Sequence, residues 1–214
     1  MGTQNINTVT MNQVGQFLTT GKAALLIALA VLAAIAVPFA ADAATTTTTV
    51  SSSIGSTIGL LSSSGTVSID ATPTAGGVQT IASDTVTVST NNTAGYTLQI
   101  AETGASSALV SGGNSIAATS GTQASPVALA ANTWGYRVVG AGGFGATATS
   151  AVSNVAISAL TFAAVPATGA PNTIKTTSTT ASNDTTTVWY GVAVNTATPS
   201  GTYTNSVTYT ATAN

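Results

Sequence analysis

The chain contains no cysteine and no histidine, and only 4% of its residues are charged. An average globular protein carries about 25%. Without thiol or imidazole there is no disulfide, no thiolate nucleophile, no imidazole base, and none of the usual zinc or haem ligand sets. Three Lys+Arg cannot neutralise a run of phosphates, which excludes nucleic-acid binding by charge. Aromatics are scarce too, at 5%. Thr, Ala, Ser and Gly fill most of the 214 residues. With mean hydropathy at +0.42, this is no charged disordered polymer. The composition favours a neutral, β-rich surface protein and disfavours an enzyme.

One apolar run stands out. Residues 23–37 (AALLIALAVLAAIAV) follow Lys22 and end at Pro38. The run fits the 7–15 residues or so of a secretory core and falls short of the roughly 20 of a spanning helix. Ala41-Asp42-Ala43 has the small-x-small pattern of a signal-peptidase site, so Ala41 and Ala43 mark the expected cleavage. If uncleaved, residues 23–41 would be a membrane anchor with Lys22 on the cytoplasmic side. The expected organisation is a signal peptide or anchor (1–43), a Thr/Ser-rich linker or donor strand (44–64), and a β-sandwich domain (65–214).

The lead-in supports three readings: a disordered spacer, a glycosylated stalk, or a strand carried by Val50, Ile54, Ile58, Leu60 and Leu61. Beyond it, period-two alternation predicts strands at 66–70, 85–89, 96–100, 134–139, 155–162, 188–194 and 202–212. Such alternation buries one face and leaves Thr and Ser on the other. A short helix within 106–131 remains open. Val86, Val88, Thr90 and Gly95 repeat the spacing of Val192, Val194, Thr196 and Gly201, each set running into an aromatic strand (Tyr96; Tyr203). This reads as one strand–turn–strand device used at two corners of a single sandwich. The expected fold is all-β, a Greek-key or immunoglobulin-like β-sandwich preceded by an N-terminal hydrophobic signal helix.

Few groups here can do chemistry. Past the signal segment the carboxylates are Asp70, Asp84, Glu102 and Asp184, and nothing in their spacing pairs them as a glycosidase would require. They read as solvated turn residues, Asp184 within a Thr-rich loop at 176–187. No D-x-D-x-D run suggests calcium, and no metal or cofactor is expected. Hydroxyls abound, but no base stands beside them. The glycines at 140–145 (GAGGFG) lack the Lys-Ser/Thr of a phosphate loop and read as a turn. Asn-x-Thr sequons at Asn91 and Asn183 fall in expected turns.

The aromatics concentrate at Trp134-Gly135-Tyr136 and Trp189-Tyr190. One ring of each pair is expected inward and the other outward. Trp134 and Trp189 read mainly as core. Trp134, Tyr136 and Tyr190 are also the candidates for a sugar-stacking surface. Tyr203, after Pro199-Ser200-Gly201, reads as a corner tyrosine that ties a turn to its sheet.

The segments TVTVSTNNTAGYTLQI (85–100), NTWGYRV (132–138) and YGVAVNTATPSGTYTNSVTYTATAN (190–214) resemble the secreted surface proteins of Saccharibacteria-type bacteria. That resemblance implies a signal peptide ahead of a β-sandwich. They resemble more distantly the WxL domains that adhere to cell walls. Here the chain departs from the pattern: Trp134-Gly135-Tyr136 lacks the Leu, and Tyr209-Thr210-Ala211 stands in the closing strand. Peptidoglycan binding is therefore not carried over.

The expected function is a secreted or cell-surface structural or adhesive protein without catalysis, facing a cell wall or the surface of a host or neighbouring cell. The alternatives are a filament (pilus) subunit that polymerises by donating its N-terminal strand to another copy, and a carbohydrate-binding module.

Overall fold

The computed structural model describes residues 46–214. The expected signal helix and the cleavage residues Ala41 and Ala43 lie outside the described residues. Among those described, no helix is long and apolar enough to cross a membrane. The chain divides into two units, Met1–Ser52 and Ser53–Asn214. In the first, residues 46–52 have no regular secondary structure, and Val50 is 91% exposed.

The second unit is all-β. Its strands are β1 (Ile58–Ser62), β2 (Val78–Thr90), β3 (Tyr96–Glu102), β4 (Leu109–Ser111), β5 (Asn114–Ala118), β6 (Val127–Ala128), β7 (Thr133–Arg137), β8 (Val152–Val155), β9 (Thr161–Phe162), β10 (Asn172–Thr176), β11 (Ala181–Val194) and β12 (Val207–Ala213). The larger sheet runs β1-β2-β11-β7-β5-β4, with β8 also pairing β2. A three-stranded sheet runs β10-β3-β12, and β6 pairs β9. No helix forms within 106–131; a 3-10 turn lies later in the chain, at Gly142–Phe144.

Two long antiparallel strands organise the molecule. β2 and β11 pair from Val78↔Val194 to Thr90↔Ala181. Val86 and Val88 on one strand and Val188, Val192 and Val194 on the other point into the main core. The intervening residues form the cross-strand pairs Thr87↔Thr185 and Thr85↔Thr187. A Thr–Thr pair suits an open pleated face and contributes a few tenths of a kcal/mol or more, up to about 1. From the facing sheet, Tyr96, Leu98, Ile100 and Ile174 complete this core. The two sheets thus pack face to face.

The other face of the larger sheet is dry in part. Ile81 and Ala193 point away from the main core into a second cluster with Leu129 and Phe162. This is why Gly191 is small: a Cβ there would lie 2.7 Å from the Phe162 ring. Burial on both faces also explains why β2 begins with the run Val78, Gln79, Thr80, Ile81, all buried, instead of alternating.

The repeated device proves to be a crossing between sheets. β2 leads through the Asn92–Gly95 turn into β3, and β11 leads through residues 195–206 into β12. β2 lies beside β11 in one sheet, and β3 beside β12 in the other. Gly95 takes φ 82° because its amide closes the turn onto Asn92 O at 3.0 Å. At the second corner, Tyr203 Oη donates to Pro199 O at 2.8 Å, the corner contact expected.

Three expectations are corrected here. Residues 66–70 form no regular strand: Val67 and Ile69 pack on the core, yet no described strand pairs with them. Most of 155–162 is irregular, with strand only at its ends. Asp184 and Asn183 lie within β11, not in a loop, at a bulge where Asn183 takes φ 52°.

Candidate functional site

Among the described residues, β12 hydrogen-bonds to β3 on one side and to no strand on the other. Its residues alternate half-buried and exposed, with Val207, Tyr209 and Ala211 leaning onto the core and Thr208, Thr210 and Thr212 outward. Across from it runs the irregular segment 66–71, of which Thr66, Val67 and Ile69 line the same groove. Val67, Ile69 and Ala71 pack against the same core, while the backbone of residues 67–71 makes no backbone hydrogen bond. Between these walls lies a groove of about 580 Å³. Its floor includes Leu109, Trp134, Tyr190 and Val192.

One end of the groove is pinned by Asp84. This carboxylate, 3% exposed in the middle of β2, accepts from Ser62 Oγ at 2.6 Å, Ser63 Oγ at 2.9 Å and Ser64 N at 3.2 Å. The run Ser62-Ser63-Ser64, which reads as low-complexity linker in the sequence, is therefore an anchor for a buried charge. Sequence reasoning missed it because partner and run stand some twenty residues apart. Inside the groove, Tyr190 Oη and Tyr209 Oη are 2.7 Å apart. Burial raises both phenols well above their usual range, so neither ionises near neutrality.

The three rings expected to stack on sugar are placed otherwise. Trp134 is 3% exposed and its Nε1 donates to Ser107 O at 2.8 Å. Tyr136 is fully buried, its hydroxyl donating to Gln123 Oε1 at 2.6 Å and accepting from Asn172 Nδ2 at 2.9 Å. Burial pushes its phenol up to about 12, the Asn172 bond working the other way. Tyr190 is 6% exposed. None offers a ring face to solvent. The parity expectation fails for Trp134 and Tyr136, since residues two apart on a strand share a face. It holds for the adjacent Trp189 and Tyr190, with Trp189 packed on the second cluster.

The five apolar residues of the expected donor strand divide. Ile58, Leu60 and Leu61 belong to β1, which pairs antiparallel with the chain's own β2 from Ile58↔Thr90 to Ser62↔Val86. Val50 and Ile54 are 91% and 84% exposed, ahead of any strand. Asn91 holds the entry to β1, accepting from Thr57 N at 2.7 Å and donating to Gly55 O at 2.9 Å.

The remaining ionisable groups are separated. Asp184 accepts from Lys175 Nζ at 2.5 Å and from Tyr96 Oη at 2.8 Å. Burial acts to raise its pKa, but these two donors outweigh it and hold the carboxyl below the usual range. Glu102, 1% exposed at the end of β3, meets no hydrogen-bond partner of good geometry among the described residues, and burial pushes it up to about 7, the Asn205 side chain working the other way. Arg137, 1% exposed, has its guanidinium fully engaged by neutral oxygens: Thr149 Oγ1, Thr161 O and Oγ1, Phe144 O and Thr147 O. The glycine-rich turn at 140–145 thus wraps a buried cation. Among the described residues, no three His, Cys, Asp or Glu side chains gather to hold a metal.

What the site offers a ligand is backbone N–H and C=O groups on two walls, an apolar floor, and hydroxyls. Comparisons with protein-family models, with curated proteins and with solved structures each found no match.

Proposed function

We propose that the chain is an exported structural protein of the cell surface, a Greek-key, immunoglobulin-like sandwich that acts through shape and strand edges without catalysis. Its partner surfaces are a cell wall or a neighbouring or host cell. The observation that carries this reading is the division of labour among its polar groups. Asp84, Asp184 and Arg137 are consumed by internal contacts, while, among the described residues, one edge of β12 has no strand partner and Val50 and Ile54 of a Thr/Ser-rich arm are exposed. The apolar run at 23–37 and Ala41-Asp42-Ala43 support export. The two sheet-to-sheet crossings support the Greek-key form. Cell fractionation with N-terminal sequencing tests it: the expected product is surface-accessible and begins at Ala44. A cytosolic chain that retains Met1 contradicts it.

A second reading, self-assembly through the N-terminal segment, is favoured by two separate observations: Val50 and Ile54 are exposed, and one edge of β12 has no strand partner among the described residues. Light scattering of the exported protein should then rise with concentration, whereas a constant monomer mass counts against it. The sugar-binding alternative loses its support, because its three rings are buried.

A further inference from the structure

Resting on the self-assembly reading, we infer that the groove between β12 and residues 66–71 is the acceptor site for the arm of a second copy, residues 46–54, which enters as an added β-strand, residues 55–57 being held by Asn91 and Thr90 of their own chain. Both walls lack a strand partner. Among the described residues β12 pairs only β3, and the backbone of residues 67–71 makes no backbone–backbone hydrogen bond, Asp70 O accepting from Thr80 Oγ1 at 3.2 Å. An exposed edge of this kind is a template for another extended chain. A strand inserted here satisfies those backbone groups and covers Val67, Ile69 and Tyr209, which sit only half-buried on the core.

The arm has the matching chemistry. Val50 and Ile54 are four residues apart, so an extended arm presents both on one face, about 13 Å apart. That face continues through Thr48 and Ser52, and the opposite face is Thr49, Ser51 and Ser53. Apolar side chains therefore meet the floor at Leu109, Val192 and Trp134, while hydroxyls meet water. The arm carries no charge, so nothing repels it from the bonded Asp84 carboxylate. Trans occupancy follows from how the other three apolar residues are used: Ile58, Leu60 and Leu61 are committed to β1 in the chain's own sheet. What is left over is the part ahead of β1.

The absence of cysteine makes the test direct. Exported full chains carrying Ser51→Cys or Ser53→Cys in the arm are mixed with chains carrying Thr208→Cys on β12, under mild oxidation. The two arm positions cover a two-residue register slip. Controls replace Thr208→Cys by Ser153→Cys on β8, which is also exposed. The expected result is a covalent mixed dimer with Thr208→Cys that is lost with Ser153→Cys, and lost again when the arm also bears Val50→Asp and Ile54→Asp. Assembly by light scattering without that crosslink overturns the groove assignment while keeping self-assembly. A Ser53→Cys/Thr208→Cys double variant that closes only within one chain overturns the second copy as occupant. No assembly and no crosslink overturns both.

Discussion

The hydroxyls of Tyr190 on β11 and Tyr209 on β12 meet at 2.7 Å, joining the two sheets across their common core. Tyr190 is 6% exposed, so its hydroxyl depends on this partner. Removing one partner of a buried pair costs more than removing both, because the survivor is left desolvated. Tyr209→Phe should therefore lower stability by about 1–3 kcal/mol. The Tyr190→Phe/Tyr209→Phe double variant should cost less than the sum of the single variants. Urea unfolding of the four proteins measures this, and strict additivity contradicts the coupling.

Glu102 gives the stability a pH dependence of unusual sign. Burial raises its carboxyl from 4.5 to about 7, so between those values the folded state holds a proton that the unfolded state has released. Its contribution is full below about 4.5 and is lost as pH rises through 7. The change is of order 3 kcal/mol. Asp184 works in the opposite sense, its contribution present above its ordinary value of 3.8 and lost as pH falls below it. Glu102→Gln should flatten the loss between pH 5 and about 8 and raise the melting temperature at the alkaline end, read by thermal melts across that range.

Arg137 is a buried cation satisfied by neutral oxygens. Three of its five contacts tie β7 to the loop carrying Phe144, Thr147 and Thr149, and the other two reach Thr161 on β9. Arg137→Ala should cost upwards of about 3 kcal/mol and free this loop to exchange its amides. Arg137→Lys should not restore it, since an ammonium lacks the planar fork. Hydrogen exchange over residues 140–149 separates these outcomes from a merely electrostatic role.

Gly135 faces the backbone where β7 meets Ala163. An added Cβ would lie 2.6 Å from Ala163 O and 2.9 Å from Thr119 Cγ2. The carbonyl is held by Tyr136 N at 2.8 Å and has little room to yield. Gly135→Ala should cost about 1–3 kcal/mol. Gly104→Ala, with open space at its Cβ, should be close to neutral. Denaturation midpoints of the two variants check this.

Alternation was a sound guide wherever one face is buried and the other wet. β3 and the ends of β2 and β11 were legible from Val86, Val88, Tyr96, Leu98, Val188 and Val192. Alternation failed where both faces are covered, as at Val78 to Ile81, since a second cluster hides the period. It also marked 66–70 as a strand, because an unpaired segment packed on a core reads the same as a paired one. The groove itself was not legible. It depends on which edge of β12 goes without a partner, a property of topology and not of local sequence. Val50, Ile54, Ile58, Leu60 and Leu61 stand out in the sequence as the apolar residues of the lead-in, but nothing there shows that β1 takes three of them for its own sheet.

The proposal that reaches furthest is that copies of this chain join by pairing backbone edges. Electron microscopy of the exported protein tests it most directly, comparing the wild type with the Val50→Asp/Ile54→Asp variant. The account predicts ordered polymers from the wild type, and a folded, monomeric sandwich from the variant. Wild-type protein that stays monomeric at every concentration, or a variant that polymerises as well as the wild type, would contradict it.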